Sequence, residues 1–227
     1  MTAFDRITLG ATGLVALYLV IFFAGSRRAT ARNGAAGAKA YPILYAAAFA
    51  VVLAAGLLLV VLGYGVLSNP LVVIVAALIP LCLSAGLVGE LAPAYERAYW
   101  AFGAFGLAGI ALTRFLGPAG VGTAVLAAVH SVAGLVIFAL PLVACRRTGK
   151  PWSFSLVTVG GTLIGIGGIA LAFLKAGRPI LPATVIFTIL APLLFLMTVC
   201  FALGFVLGGK EGKTRVGSKA ESQRASV

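Results

Sequence analysis

The sequence is poor in charged residues, and this shortage excludes most soluble folds. Only 10% of its 227 residues are charged, whereas 62% are hydrophobic. A soluble domain usually carries about 25% charged residues, because polar groups must cover its surface. This chain cannot supply such a surface, so lipid rather than water must surround most of it.

The chain also lacks the grouped residues that metal sites and catalysis require. It has one histidine, His130, and three cysteines that lie far apart, Cys82, Cys145 and Cys200. A structural zinc site needs four clustered ligands, and a disulfide framework needs cysteines at suitable spacings. Motifs typical of metalloproteases, serine hydrolases and nucleotide-binding loops are missing as well. We therefore expect a protein that holds no metal. An enzyme acting on lipid stays a third alternative, for which Glu90, Glu96 and Arg97 are the catalytic candidates at one interface.

The scarcity of ligands argues against a haem site within this chain alone. A bis-histidine site needs two histidines, and the remaining option is a histidine and methionine pair. Met197 lies about 12 Å deeper than His130 when helical rise is counted from the outer surface. We expect no cofactor within the chain; a haem or quinone shared with another subunit stays an open alternative that no residue supports.

Long apolar stretches are what the sequence has in abundance. About 20 apolar residues are needed for a helix to cross a bilayer. Seven stretches qualify, at about 7–25, 41–67, 70–89, 98–115, 121–145, 153–174 and 180–207. The sequence therefore predicts an all-α integral membrane protein, a seven-transmembrane-helix bundle over residues 1–207. Residues 208–227 are polar and basic, which is typical of a disordered tail.

The distribution of basic residues indicates how the bundle is oriented. With the N-terminus outside and the C-terminus inside, all Lys and Arg residues except Arg6, Arg114, Lys175 and Arg178 fall on the cytoplasmic side. This bias follows the positive-inside rule and favours a multi-pass protein of the cell membrane with a cytoplasmic tail. The net charge of +12 then points to anionic lipid rather than to nucleic acid, because no soluble element presents a basic face.

His130 is the main candidate for an internal polar site. It falls near mid-bilayer, where an ionisable group is costly and is often functional. Ser131 follows it, and Thr162 and Thr188 fall near the same depth when helical rise is counted. These four residues form the predicted intramembrane site, although hydroxyls that bond between membrane helices more often serve packing.

Two further groups of residues mark candidate contacts. Gly161, Gly165 and Gly168 lie on one face of the sixth stretch, a pattern typical of closely packed membrane helices. Glu90 and Glu96 stand at the predicted inner interface, where a carboxylate handles protons or, more often, pairs with a nearby cation. The glycines indicate that the sixth helix is central in the bundle or lies at a subunit interface.

Two functions fit these features. The first is a non-catalytic helical subunit of a larger membrane complex, which scaffolds, binds lipid or completes a shared pocket. The second is a small transporter or channel-like protein with a polar site around His130. The expected partners are the bilayer with its anionic lipid, and other membrane subunits or further copies of the chain. A transporter requires a polar path from Thr188 past His130 to Glu90, and a dry, packed interior counts against it.

Overall fold

The computed structural model describes residues 1–32, 41–118, 120–175, 177 and 179–224, and within them the fold is an all-helical bundle. Seven helices in this part of the chain are long and apolar enough to cross a membrane. Their bounds are α1 Ala3–Arg32, α2 Tyr41–Leu62, α3 Pro70–Leu91, α4 Glu96–Leu116, α5 Val121–Arg147, α6 Leu156–Lys175 and α7 Ala183–Arg224. The prediction of a seven-helix integral membrane protein is therefore confirmed.

Successive helices run in opposite directions, which gives the bundle two distinct ends. The ring of Phe23 in α1 lies 5.0 Å from the ring of Tyr45 in α2, measured between centroids, and Gly13 approaches Leu53. We call the end that carries Arg27, Arg28, Arg97, Arg146, Arg147 and Lys150 the basic end, and the other end the far end. Helices α1, α3, α5 and α7 run from the far end to the basic end.

The helices pack as a ring with one helix outside it. The order around the ring is α1, α2, α3, α5, α6 and α7, and α7 packs back on α1. Helix α4 lies outside the ring against α3 and α5, and Ile110 is its one buried residue. Because of this peripheral position, α4 contributes little to the core.

Aromatic side chains fill the half of the bundle nearer the basic end. Phe205 of α7 is within 5.3 Å of Phe23 and 4.7 Å of Tyr45, measured between ring centroids. Phe49, Phe154 and Phe201 surround the same ring, and all three are buried. Offset and edge-on contacts at such distances stabilise a core beyond the area they bury. This half of the interior is therefore packed and apolar.

Several helix bounds differ from the predictions, among them the start and end of α1, and two of the differences have clear physical reasons. The second stretch was predicted as one helix over 41–67, but α2 ends at Leu62 and a 3-10 helix covers Tyr64–Ser68. Gly63 has a φ of 72°, a left-handed conformation that ends an α-helix and that glycine adopts without strain. The seventh stretch was predicted to end at residue 207, but α7 continues as helix through Arg224. No proline interrupts the tail, and each added residue closes one more hydrogen bond.

Glycine at position 204 sets the distance between α6 and α7. A Cβ at Gly204 would lie 2.9 Å from the backbone nitrogen of Val157, whereas a Cβ at Gly209 would meet nothing within 4 Å. We expect Gly204→Ala to lower the free energy of unfolding by about 1–3 kcal/mol, because backbone atoms cannot yield as a side chain does. Gly209→Ala is the matched control on the same helix and should be neutral or slightly stabilising. Unfolding in mixed micelles measures both, and equal losses in the two variants would contradict this account.

Candidate functional site

Glu90 forms the centre of a polar network at the basic end. Its Oε2 accepts a hydrogen bond from the Tyr45 hydroxyl at 2.9 Å, and its Oε1 lies 2.6 Å from Lys150 Nζ. The Lys150 ammonium also stands over the Phe154 ring, 4.8 Å from its centroid. Because these residues come from α2, α3 and the α5–α6 connection, the network fastens three parts of the ring together.

Small residues allow this network to form. Tyr45 crosses α3 beside Gly86, where a Cβ would lie 2.5 Å from the tyrosine ring. Gly149 has a φ of 71° and turns the chain after α5, which brings Lys150 back toward α3. The side chains of Glu90 and Lys150 are 17% and 27% exposed, so the pair is shielded more than a surface ion pair. Its geometry is that of a structural contact, with both carboxylate oxygens occupied.

Glu96 does not join the ion pair of Glu90. It stands in the first turn of α4 and is half-buried, with Oε1 3.4 Å from the position of a Cβ on Gly89. A carboxylate in the first turn of a helix is stabilised by the helix dipole. The two predicted interface carboxylates therefore lie near the same end of α3, but only Glu90 contacts a cation in the described part of the chain.

The four residues of the predicted intramembrane site are not joined by hydrogen bonds. Thr162 donates to Thr158 O at 2.9 Å, and Thr188 donates to Thr184 O at 2.8 Å, so each hydroxyl bonds within its own helix. Ser131, Thr162 and Thr188 are all exposed on the outside of the bundle. The predicted cluster is therefore not assembled in this structure, because a carbonyl one turn back is the nearest acceptor for a hydroxyl in a helix.

His130 is half-buried and also bonds within its own helix. Its Nδ1 lies 3.1 Å from Leu126 O. A carbonyl oxygen only accepts, so this contact needs a proton on Nδ1 and leaves Nε2 as the acceptor of a neutral imidazole. Nε2 has no hydrogen-bond partner in the described part of the chain. The ring is therefore oriented by α5, with one nitrogen available.

Beyond the point where α5 meets α6, glycine positions on both helices have no neighbour, and we call this stretch the α5–α6 opening. Gly161, Gly165 and Gly168 share one face of α6, and Gly161 meets α5 so closely that a Cβ would lie 2.5 Å from Ile137 Cγ2. A Cβ at Gly165 or Gly168 would meet nothing within 4 Å. On α5, Gly134 precedes Ile137 by one turn and also has open space where a Cβ would stand. The two helices thus touch at Gly161 and leave space farther along the face toward the far end.

The three glycines that were predicted to pack against a neighbouring helix differ in their surroundings. Gly161 makes a close helix approach, and Gly165 and Gly168 make none within the bundle. The close approaches at Gly86, Gly160 and Gly204 were not predicted from the sequence. Gly204 and Gly208 have the small-xxx-small spacing that would have indicated the α6–α7 contact. Thr158, whose hydroxyl donates to Phe138 O at 2.8 Å, is the hydroxyl that links α5 and α6.

The described residues offer no metal centre. They contain no group of three or more His, Cys, Asp or Glu side chains that could hold a metal ion. The three cysteines are free thiols, and Cys145 Sγ donates to Pro151 O at 3.3 Å. The structure thus places the candidate functional features at the Glu90 network and at the α5–α6 opening.

Comparison with known proteins gives no match: no family model, no curated protein and no solved structure matches this chain.

The Glu90 network yields a prediction about stability. We expect Glu90→Gln to lower the free energy of unfolding by about 1–2 kcal/mol, because Lys150 then loses its anion in a shielded position. Glu96→Gln is the control, since Glu96 lies at the same end without a cation partner. A double-mutant cycle of Glu90→Gln with Lys150→Gln, measured by unfolding in mixed micelles, isolates the pair. Additive losses in the cycle would show that the two side chains are not coupled.

Proposed function

We propose that this protein is a non-catalytic helical subunit of a larger membrane complex, and that its partner docks at the α5–α6 opening. The observation that carries the proposal is the open face of α6 at Gly165 and Gly168, continued on α5 by Gly134. Glycines in membrane helices serve close approach of a second helix, because lipid gives apolar side chains no reason to associate.

The bundle itself demonstrates this use of glycine. Gly160 and Gly167 of α6 receive Phe201 and Leu193 of α7, and Gly161 receives Ile137 of α5. In each place a Cβ would stand 3.1 Å or less from the neighbouring helix. Gly165 and Gly168 belong to the same helix and have no such neighbour, so a helix from another chain would complete the pattern.

The position of His130 adds a polar contact to this surface. His130 precedes Gly134 and Ile137 on the α5 face that looks toward α6, at spacings of four and seven residues. With Nδ1 held by Leu126 O, the free Nε2 accepts a hydrogen bond from a donor on the docked helix. An interhelical hydrogen bond of this kind gives register to a contact that small residues alone leave free to slide.

A transporter receives less support from the same contacts. The polar path that it needs begins at Thr188, whose hydroxyl is exposed and bonded to its own helix. The route past His130 toward Glu90 passes the aromatic core of Phe49, Phe201 and Phe205. The packed, apolar interior in this half of the bundle favours a subunit whose interactions are on its outer surface.

The same proposal includes the membrane and the orientation. Arg97, Arg146 and Arg147 are exposed at the basic end, and the positive-inside rule assigns such an end to the cytoplasm. We therefore place the protein in the cell membrane, with the far end outside and its basic end against anionic lipid.

The complex itself provides the test. The tagged chain, extracted in mild detergent, should run on a native gel well above the size of one chain and carry other membrane polypeptides or further copies. We expect Gly165→Leu combined with Gly168→Leu to reduce their recovery about tenfold, the change produced by a loss of about 1.4 kcal/mol in binding. Gly103→Leu on α4 is the matched control, because Gly103 is an open glycine outside this face.

Crosslinking locates the contact directly. A photo-reactive residue at position 169, next to the open glycines, should form adducts that the same residue at position 105 of α4 does not form. Both native side chains, Ile169 and Phe105, are exposed. A single chain of monomer size for the wild type, with no adducts at position 169, would contradict the proposal.

A further inference from the structure

A small polar pocket lies at the far end of the bundle, where α4 ends and α5 begins. Its volume is about 120 Å³, and Thr113, Arg114, Gly117, Gly120 and Thr123 are among the residues that line it. It is separate from the α5–α6 opening and from the Glu90 network, which belong to other faces or to the other end. One of the residues in its lining, Arg114, is among the few cations at the far end of the bundle.

Arg114 differs from an arginine that only extends into water. Such a side chain covers apolar surface with its stem and keeps its charged head hydrated. Arg114 is half-buried, and its Nε and Nη2 are buried without a hydrogen-bond partner among the described residues. A buried cation without a partner is costly, so its surroundings normally provide an anion. The described part of the chain provides none, and its ion pair is at Glu90 and Lys150.

The two unpartnered nitrogens have the geometry of a ligand-binding fork. The Nε and Nη2 donors of a guanidinium point the same way on one edge, and together they match two oxygens of a carboxylate or phosphate. The edge with this bidentate capacity is the one that remains unused in Arg114. The arginine therefore presents a specific shape to a ligand as well as a charge.

In the turn beside Arg114, backbone segments from the end of α4 and the start of α5 lie very close together. A Cβ at Gly117 would lie 2.6 Å from Thr113 O, and one at Gly122 would lie 3.1 Å from the same oxygen and 3.4 Å from Arg114 Cδ. Gly120 has a φ of 93°, in the region that favours glycine. These glycines let the stem of Arg114 lie across the first turn of α5, beside the pocket.

Further donors meet Arg114 at this point. The Thr113 hydroxyl is occupied, since it donates to Gly109 O at 2.7 Å, but the Thr123 hydroxyl makes no hydrogen bond to the described residues. Gly120 precedes α5 and gives it no side-chain cap. The Val121 amide donates to Pro118 O at 3.2 Å, but the next amides of the first turn lack carbonyl partners within the helix and favour an anion through the helix dipole. All three kinds of donor suit an oxyanion with several oxygens.

We propose that this pocket binds a phosphate-type oxyanion, with two of its oxygens on the Nε and Nη2 edge of Arg114. The Thr123 hydroxyl and the amino end of α5 hold a third oxygen. A phosphate fits better than a carboxylate, because the donors come from two helices and a carboxylate has only two oxygens to meet them. Phosphates of lipid headgroups lie at this depth of the bilayer, and free phosphate in solution has the same chemistry.

The experiment measures binding to the full chain and distinguishes the two sources. The protein is purified in a neutral detergent, and its thermal unfolding is followed with increasing inorganic phosphate or with phosphatidylglycerol in the micelle. A ligand that binds only the folded state raises the unfolding temperature as its concentration passes the dissociation constant. A rise with both probes indicates a general phosphate site, and a rise with the lipid alone identifies a headgroup site; either result supports the proposal.

Variants of the pocket make the result specific. We expect Arg114→Gln to weaken the response to the effective probe at least about tenfold, and Thr123→Val to weaken it less. Arg114→Lys keeps the positive charge but loses the two parallel donors, so a weakened response shows that the shape of the guanidinium matters. This variant also tests the site if Arg114→Gln does not fold. Arg6→Gln, an exposed arginine at the same far end but outside the pocket, is the matched control and should respond as the wild type does. The proposal is overturned if neither probe stabilises the wild type, or if the Arg114 variants respond like Arg6→Gln.

Discussion

The structure depends on the shortage of hydrogen-bond partners in lipid. Without water, each backbone amide and carbonyl must be satisfied within the protein, which makes a helix the only open-ended element that can cross. The same shortage acts on side chains. Thr8, Thr12, Thr188 and Thr198 all donate to a carbonyl one turn back along their own helix. Polar side chains in the bundle are thus largely satisfied locally, and few remain to join helices.

Where helices are joined, different means operate in the two halves of the bundle. Near the basic end, aromatic rings fill the interior and the Glu90 network closes it, with Tyr45 belonging to both. Nearer the far end the buried side chains are aliphatic, as at Leu9, Leu59 and Ile186. The opening at Gly165 and Gly168 lies beyond the point where α5 and α6 touch. The tight packing near the basic end thus contrasts with the open glycine positions of the α5–α6 surface nearer the far end.

The number and type of helices could be predicted from sequence because bilayer thickness fixes the length of an apolar stretch. Their order in space could not, since helices such as α2, α3 and α5 are apolar all round and show little preference for one face. The peripheral position of α4 follows from packing against α3 and α5, which no pattern within α4 specifies. The end of α2 depends on the φ of Gly63, and the sequence does not distinguish this glycine from those inside the helices.

The candidate sites were predictable only as far as single residues. Glu90 was recognised as an interfacial carboxylate, but Tyr45 and Lys150 are 45 and 60 residues away and spacing cannot pair them. The glycine spacing on α6 correctly placed three residues on one face, yet it could not tell that Gly161 alone meets α5. Depth counting brought His130, Thr162 and Thr188 to one level but carried no information about the direction of each side chain.

Helix α5 connects three features of the bundle: the pocket at Arg114, the α5–α6 opening and the Glu90 network. Its first turn lies under Arg114, its middle carries His130 and Gly134 beside the opening, and the chain after its last turn supplies Lys150 to Glu90. It also packs on α3, α4 and α6, so α4 is held to the ring partly through it. An anion bound at Arg114 would contact the end of α4 and the start of α5 together. It would thereby fasten the peripheral helix at the far end, where the contacts between α4 and α5 are made by glycines and small apolar side chains.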